Sequence, residues 1–189
     1  MAVLEIARMG HPLFRARALD VASPLADEIR ALAADRADTL ADICGAGLAA
    51  PQVLVPKRVG IFQVPADRIA GAPGAEPMGL TCLVNPVVEP LSDEMEQGWE
   101  GCLSVPGLRG VVPRHIHVRY RGITPQGEEI DREASGFHAR VIQHECDHLD
   151  GILFPQRMTD LSLLGFADEL KHGLADMVEA RRDTAGNIP

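Results

Sequence analysis

The feature that most constrains this chain is His144-Glu145-Cys146-Asp147-His148. On a helix, side chains four residues apart share a face and lie about 6 Å apart along the axis. Two imidazoles at that spacing can grip one metal ion. A helix over residues 135–149 is expected, because Phe137, Val141, His144 and His148 fall on one face. Ile142, Cys146 and Leu149 form an adjoining apolar stripe, so the helix is largely buried, and Asp150-Gly151 ends it. Glu145 is rotated by about 100° from His144. That takes it out of the ligand set but leaves it within reach of a water beside the metal. Cys146 points away from both imidazoles.

Two His on a buried face can also be satisfied core residues, so a third ligand is needed. Glu100-Gly101-Cys102-Leu103-Ser104-Val105-Pro106 offers one. Gly101 lets backbone approach closely, and Pro106 is expected to end a strand. Alone, Cys102 reads as a small buried hydrophobe. Beside the helix it completes a set of one Cys and two His, which leaves a fourth position for water, the pattern of a catalytic site. Gly45-Ala46-Gly47-Leu48-Ala49-Ala50-Pro51-Gln52 is a small-residue turn that can bring backbone and the Gln52 amide close to a ligand.

Ser23-Pro24 signals a helix start, with Asp27 and Glu28 in its first turns and an end near Asp42. Residues 57–64 and 80–89 read as strands, the second interrupted at Asn85-Pro86. Between them, residues 65–79 hold three Pro and three Gly and form a loop. Val111 to Arg121 alternates as a half-buried strand. Gln126-Gly127 is a hairpin turn into another strand. A last helix is expected over 161–182. Strands in the middle with helices at both ends predict an α+β fold of antiparallel strands around the buried helix. All 189 residues form one domain in this reading, with about 160–189 as a C-terminal helical extension.

The chain carries a net charge of −9, which disfavours phosphate backbones and hence direct nucleic-acid binding. No run approaches 18 apolar residues, so no membrane span is expected. The N-terminus is too short and mixed for a signal peptide, which makes the cytoplasm the expected location. Four Cys in a reducing compartment suggest metal binding or catalysis before disulfides.

Taken together, Gly45 to Gln52, Glu100 to Ser104 and Gln143 to His148 resemble, in order and rough spacing, the three motifs of the peptide deformylase family. Gly10-His11-Pro12-Leu13 and Val112-Pro113-Arg114 extend the similarity over roughly residues 5–165. The resemblance implies removal of the formyl group from N-formylmethionyl peptides as they leave the ribosome. It implies Cys102, His144 and His148 as ligands of one divalent metal. Iron(II) is the implied native ion, with zinc, nickel or cobalt as occupants of purified protein. It implies Glu145 as the proton carrier, with the Gln52 amide and the Leu103 N–H stabilising an oxyanion. Gly47 would bond the substrate backbone, Ala46 would line the methionine pocket, and Gly101 belongs to the same substrate wall. Gln143, Asp147, Glu100 and Arg114 are candidates to support the ligands. Ala46 departs from the larger residue common in the family and would widen that pocket. Asp160 to Pro189 carry six acids against three Lys or Arg, which suits transient ribosome proximity better than docking on RNA.

Two other chemistries fit part of the pattern. A metallopeptidase shares the helix motif but takes a Glu or His further on as its third ligand, where the only His is His172 and no Glu appears before Glu169, and leaves Cys102 without a role. A copper electron-transfer site uses two His and one Cys but has no need of Glu145. A catalytically dead homologue would not need Cys102, Glu145, Gln52 and both His together.

Overall fold

Short connections between successive strands leave a neighbour little choice but to turn back, and antiparallel pairing organises this chain throughout its two sheets. The computed structural model describes residues 4–43, 45–70 and 76–173. In chain order these form helix α1 (Asp27–Asp42), β1 (Gly47–Ala49), β2 (Val59–Val64), β3 (Met78–Pro90), β4 (Met95–Cys102), β5 (Val105–His115), β6 (His117–Ile123), β7 (Glu129–Ser135), α2 (Gly136–Leu149) and β8 (Leu164–Phe166), with short 3-10 turns between. One sheet runs β1-β2-β3-β6-β7 and the other β4-β5-β8. The expected α+β class with antiparallel strands is what forms.

Helix α2 packs against strands of both sheets. Val141, Ile142 and Cys146 join Phe62, Leu83, Val118 and Tyr120 in one buried cluster. Val105 and Val112 of the smaller sheet bury with Phe14, Leu153 and Phe154 in a second. Each such side chain stabilises by about 1.5–3 kcal/mol when fully buried. The helix is thereby fixed between the sheets, with its remaining face turned to the site.

Several boundaries differ from expectation, each for a local reason. Helix α1 starts at Asp27 rather than after Ser23, whose carbonyl instead accepts the Ala26 N–H in a turn. Asn85-Pro86 does not break β3. Asn85 takes a left-handed φ of 50° at a bulge, and its side chain exchanges hydrogen bonds of 2.8 and 3.0 Å with the Val21 backbone. The single strand expected over 111–121 is two, because the chain crosses at Ile116 from the smaller sheet to the larger one. Pro106 lies inside β5 instead of closing a strand.

The helix expected over 161–182 does not form over 161–173. There, 3-10 turns at Leu161–Leu163 and Leu170–His172 flank β8, whose residues pair with Leu108, Arg109 and Gly110. Sheet pairing has overridden the helical periodicity. The rest of that helix, and most of the expected helical extension over 160–189, lie outside the described residues. Among the described residues no helix is long and apolar enough to cross a membrane.

Gly151 ends α2 with φ 74°, and a Cβ there would meet the Ala16 carbonyl oxygen at 2.8 Å. Gly151→Ala should therefore cost more than about 1 kcal/mol, read as a lower urea midpoint. An unchanged midpoint would contradict the packing of the N-terminal segment on this turn.

Candidate metal centre

The i, i+4 spacing places the His144 and His148 rings 4.7 Å apart between centroids, at 87° to one another. Cys102 ends β4, where a register shift between Gly101 and Cys102 turns the chain into the β4–β5 hairpin. That turn brings Sγ to 3.3 Å from His148 Nε2. The ligand atoms of Cys102, His144 and His148 all lie within 4.8 Å of one another.

Each imidazole is held by its other nitrogen. His144 Nδ1 faces Glu100 Oε2 at 2.8 Å, and His148 Nδ1 faces the Ile152 carbonyl at 3.2 Å. Those acceptors assign the proton to Nδ1 and leave each Nε2 lone pair for a cation. The Cys102 sulfur accepts from the Ser104 N–H at 3.4 Å and from Gln52 Nε2 at 3.6 Å. Burial alone would push this thiol up, but His148 and His144 outweigh it and hold its pKa well below the usual range. Burial likewise opposes the His144 imidazolium, and Cys102 and Glu100 override it to raise that pKa. A thiolate and two oriented imidazoles are a donor set that fits a first-row divalent ion and suits several of them.

Behind Cys102, His144 and His148 lies an ionic network. Burial works against the Glu100 carboxylate, but Arg114 and His144 keep it well below the ordinary carboxylate range. Arg114 grips it at 2.9 Å through both Nε and Nη2 and reaches Asp147 with Nη1 at 2.5 Å. Arg157 holds Asp147 from outside at 2.6 Å.

Glu145 is buried and its Oε2 has no hydrogen-bond partner. Burial raises its pKa, against the pull of His148 and His144. Its carboxylate lies against Gly47, where a Cβ would stand 2.3 Å from Oε1, so only glycine fits. At Gly101 a Cβ would meet nothing closer than 3.6 Å, and the close approach expected there is not required.

A cavity of about 520 Å³ opens over the centre. Ala46, Gly47, Gln52, Gly101, Cys102, Leu103, His144 and Glu145 all border it, while His148 is buried beneath. Sequence reasoning therefore named residues that the fold brings together. It misplaced Gln143, which bonds the His115 backbone at 2.9 and 3.2 Å instead of a ligand. It did not single out Arg140 and Trp99, which also border the cavity, or Ser104, whose Oγ accepts from Gln52 Nε2. Arg140 was accessible to the same spacing argument, being four residues before His144. His172 and Glu169, the ligands a metallopeptidase would need, are exposed and face each other at 4.0 Å.

The polypeptide deformylase family model matches residues 3–163. Peptide deformylase 1 of Bordetella pertussis is 53% identical over 169 residues, covering 87% of this chain and 93% of that protein. The structure of class I type b peptide deformylase from Acinetobacter baumannii bound to Met-Ala-Ser superposes with a TM-score of 0.75 at 39% identity, covering 83% of this chain and 99% of that one. Peptide deformylase from Ehrlichia chaffeensis in complex with actinonin gives 0.77 at 32% identity, covering 86% and 92%.

Cys102→Ser should lose metal to a chelator faster than Cys146→Ser, because Cys146 packs into the apolar cluster away from the ligand face. Metal per chain after a timed chelator challenge reads this, and equal loss from both variants would contradict the ligand geometry.

Proposed function

The chain belongs to the polypeptide deformylase family, and we propose that it performs the family reaction with Cys102, His144 and His148 as metal ligands and Glu145 as proton carrier. It is a metallohydrolase that removes the formyl group from the N-terminal formyl-methionine of newly made peptides, a step of protein maturation. The observation that carries the residue roles is the meeting of three ligand atoms within 4.8 Å under one cavity with a buried carboxylate whose Oε2 is unpartnered.

A divalent ion at these three residues supplies Lewis acidity, polarising a carbonyl and making water a stronger acid. Glu145 takes a proton from the attacking water and delivers it to the amine nitrogen as the C–N bond breaks, so that formate and a free N-terminus leave. Burial raises its pKa, the direction that makes the carboxylate a stronger proton acceptor. Gln52 is fixed by its Oε1, which accepts the Ala49 N–H at 2.8 Å. Its Nε2 rests on Ser104 Oγ at 3.2 Å, and one N–H leaves that contact to meet the developing oxyanion. The Leu103 N–H, in the β4–β5 turn at the cavity wall, is the second donor. Such a donor contributes on the order of 3 kcal/mol to lowering the barrier.

The methionine side chain enters the apolar side of the cavity, where Ala46, Phe137 and Val141 line the wall. Ala46 sets that wall back. Gly47 offers its backbone to the peptide and Gly101 faces the same space. Iron(II) is the native ion of this reading, with zinc, nickel and cobalt as alternatives for the same donors. Formylated chains emerging from the ribosome place the enzyme in the cytoplasm and transiently near the ribosome. The acidic C-terminal residues argue against a grip on RNA. Residues 1–189 act as one catalytic domain, since the site draws on both sheets and α2.

The test is formate release from a formyl-Met-Ala-Ser peptide by anaerobically prepared iron(II) protein. Glu145→Ala should cut kcat by a factor of roughly 10² to 10⁴ while metal content stays near one per chain. A wild-type rate in that variant would remove Glu145 from the mechanism.

A further inference from the structure

Arg140 is engaged in a way the deformylation chemistry does not by itself call for. Its side chain is only 12% exposed. Nη1 donates to Glu100 Oε1 at 2.9 Å and to the Val112 carbonyl at 2.8 Å, and Nη2 donates to the Glu96 carbonyl at 2.8 Å. One guanidinium thus ties α2 to both strands of the β4–β5 hairpin. It also holds the same carboxylate that orients His144.

The guanidinium reaches these acceptors through a slot in β4. At Gly98 a Cβ would lie 2.6 Å from Arg140 Nη2 and 2.7 Å from Cζ. Gly98 is not in the left-handed region, so its lack of a side chain answers to this contact and not to backbone conformation. The Glu100 carboxylate shows what the slot secures. Oε1 is shared by Arg114 Nε and Arg140 Nη1, each at 2.9 Å, whereas Oε2 is shared by Arg114 Nη2 and His144 Nδ1. Without Arg140, Glu100 Oε1 loses one of its two donors and the tie to β5 and β4 that Arg140 provides, so the carboxylate and the His144 ring it orients are held by Arg114 alone.

We infer that Arg140 and Gly98 form a positioning pair: the guanidinium seated in the space Gly98 leaves open fixes Glu100, and through it His144, and so sets how firmly the centre holds its metal. The inference rests on His144 being a metal ligand. Groups that orient a ligating imidazole typically change metal affinity or activity by 10- to 100-fold when removed.

The pair makes an unusual mutational forecast. An alanine methyl at position 98 meets the far end of a flexible side chain, so the guanidinium gives way and the strand stays. Gly98→Ala should therefore mimic Arg140→Leu. With zinc-loaded full-length protein, both should release zinc to a chelator about tenfold faster than wild type, with kcat for formate release falling. The double variant should be no worse than Arg140→Leu alone, because no guanidinium remains to be displaced. Wild-type zinc release in either single variant would overturn the inference, and so would a double variant whose effect is the product of the two singles. If a thermal melt shows Arg140→Leu unfolded, Gly98→Ala decides alone, and wild-type release by it overturns the inference. His144→Ala that retains zinc like wild type would instead take down the ligand assignment, and the inference with it.

Discussion

Glu100 has 4% of its side chain exposed, and a carboxylate so deeply buried is tolerated only when charges and donors surround it. Arg114, Arg140 and His144 provide them. The four groups come from three elements: Glu100 from β4, Arg114 from β5, and Arg140 and His144 from α2. The carboxylate is therefore where the smaller sheet and the central helix are registered against each other. Because Cys102 follows Glu100 by two residues on the same strand, that registration also brings the sulfur to the imidazoles. A buried ion cluster of this kind is weak as a source of stability, since apolar residues of similar size often serve as well. Its value here lies in placing three ligand atoms within 4.8 Å.

The same constraint shapes the glycines around the site. Gly47 is glycine because Glu145 occupies the space of a side chain, and Gly98 because Arg140 does. Both are backbone positions where a functional side chain presses against a strand. Arg36 extends the pattern to the far side of the site. Although fully buried, it donates to the Leu48 and Val59 carbonyls at 3.3 and 2.7 Å, bracing β1 beside Gly47. Burial lowers its pKa to about 10, which still leaves a cation at neutral pH.

Much of the centre was legible in the sequence because its spacing is local. The helix period of α2 puts His144 and His148 on one face, turns Cys146 into the apolar cluster, and leaves Glu145 between. Long-range partners were legible only through motif resemblance. Nothing in the order of residues places Cys102 or Gln52 near α2 until the sheets form. Arg36 was hidden for another reason: arginine is normally read as exposed, and its burial depends on carbonyls supplied by distant strands. The C-terminal helix failed where Leu164–Phe166 found β5 as a partner, a tertiary gain that periodicity cannot register. The break at Ile116 was invisible because alternation continues unchanged across it while the chain changes sheets.

The central claim is that the folded chain presents one sulfur and two imidazole nitrogens to a single ion. X-ray absorption at the metal edge of the zinc-loaded protein tests it directly. The account predicts one sulfur at about 2.3 Å and nitrogen or oxygen scatterers at about 2.0–2.1 Å, with the outer-shell signature of imidazole. A first shell without sulfur, or with two sulfurs, would contradict it.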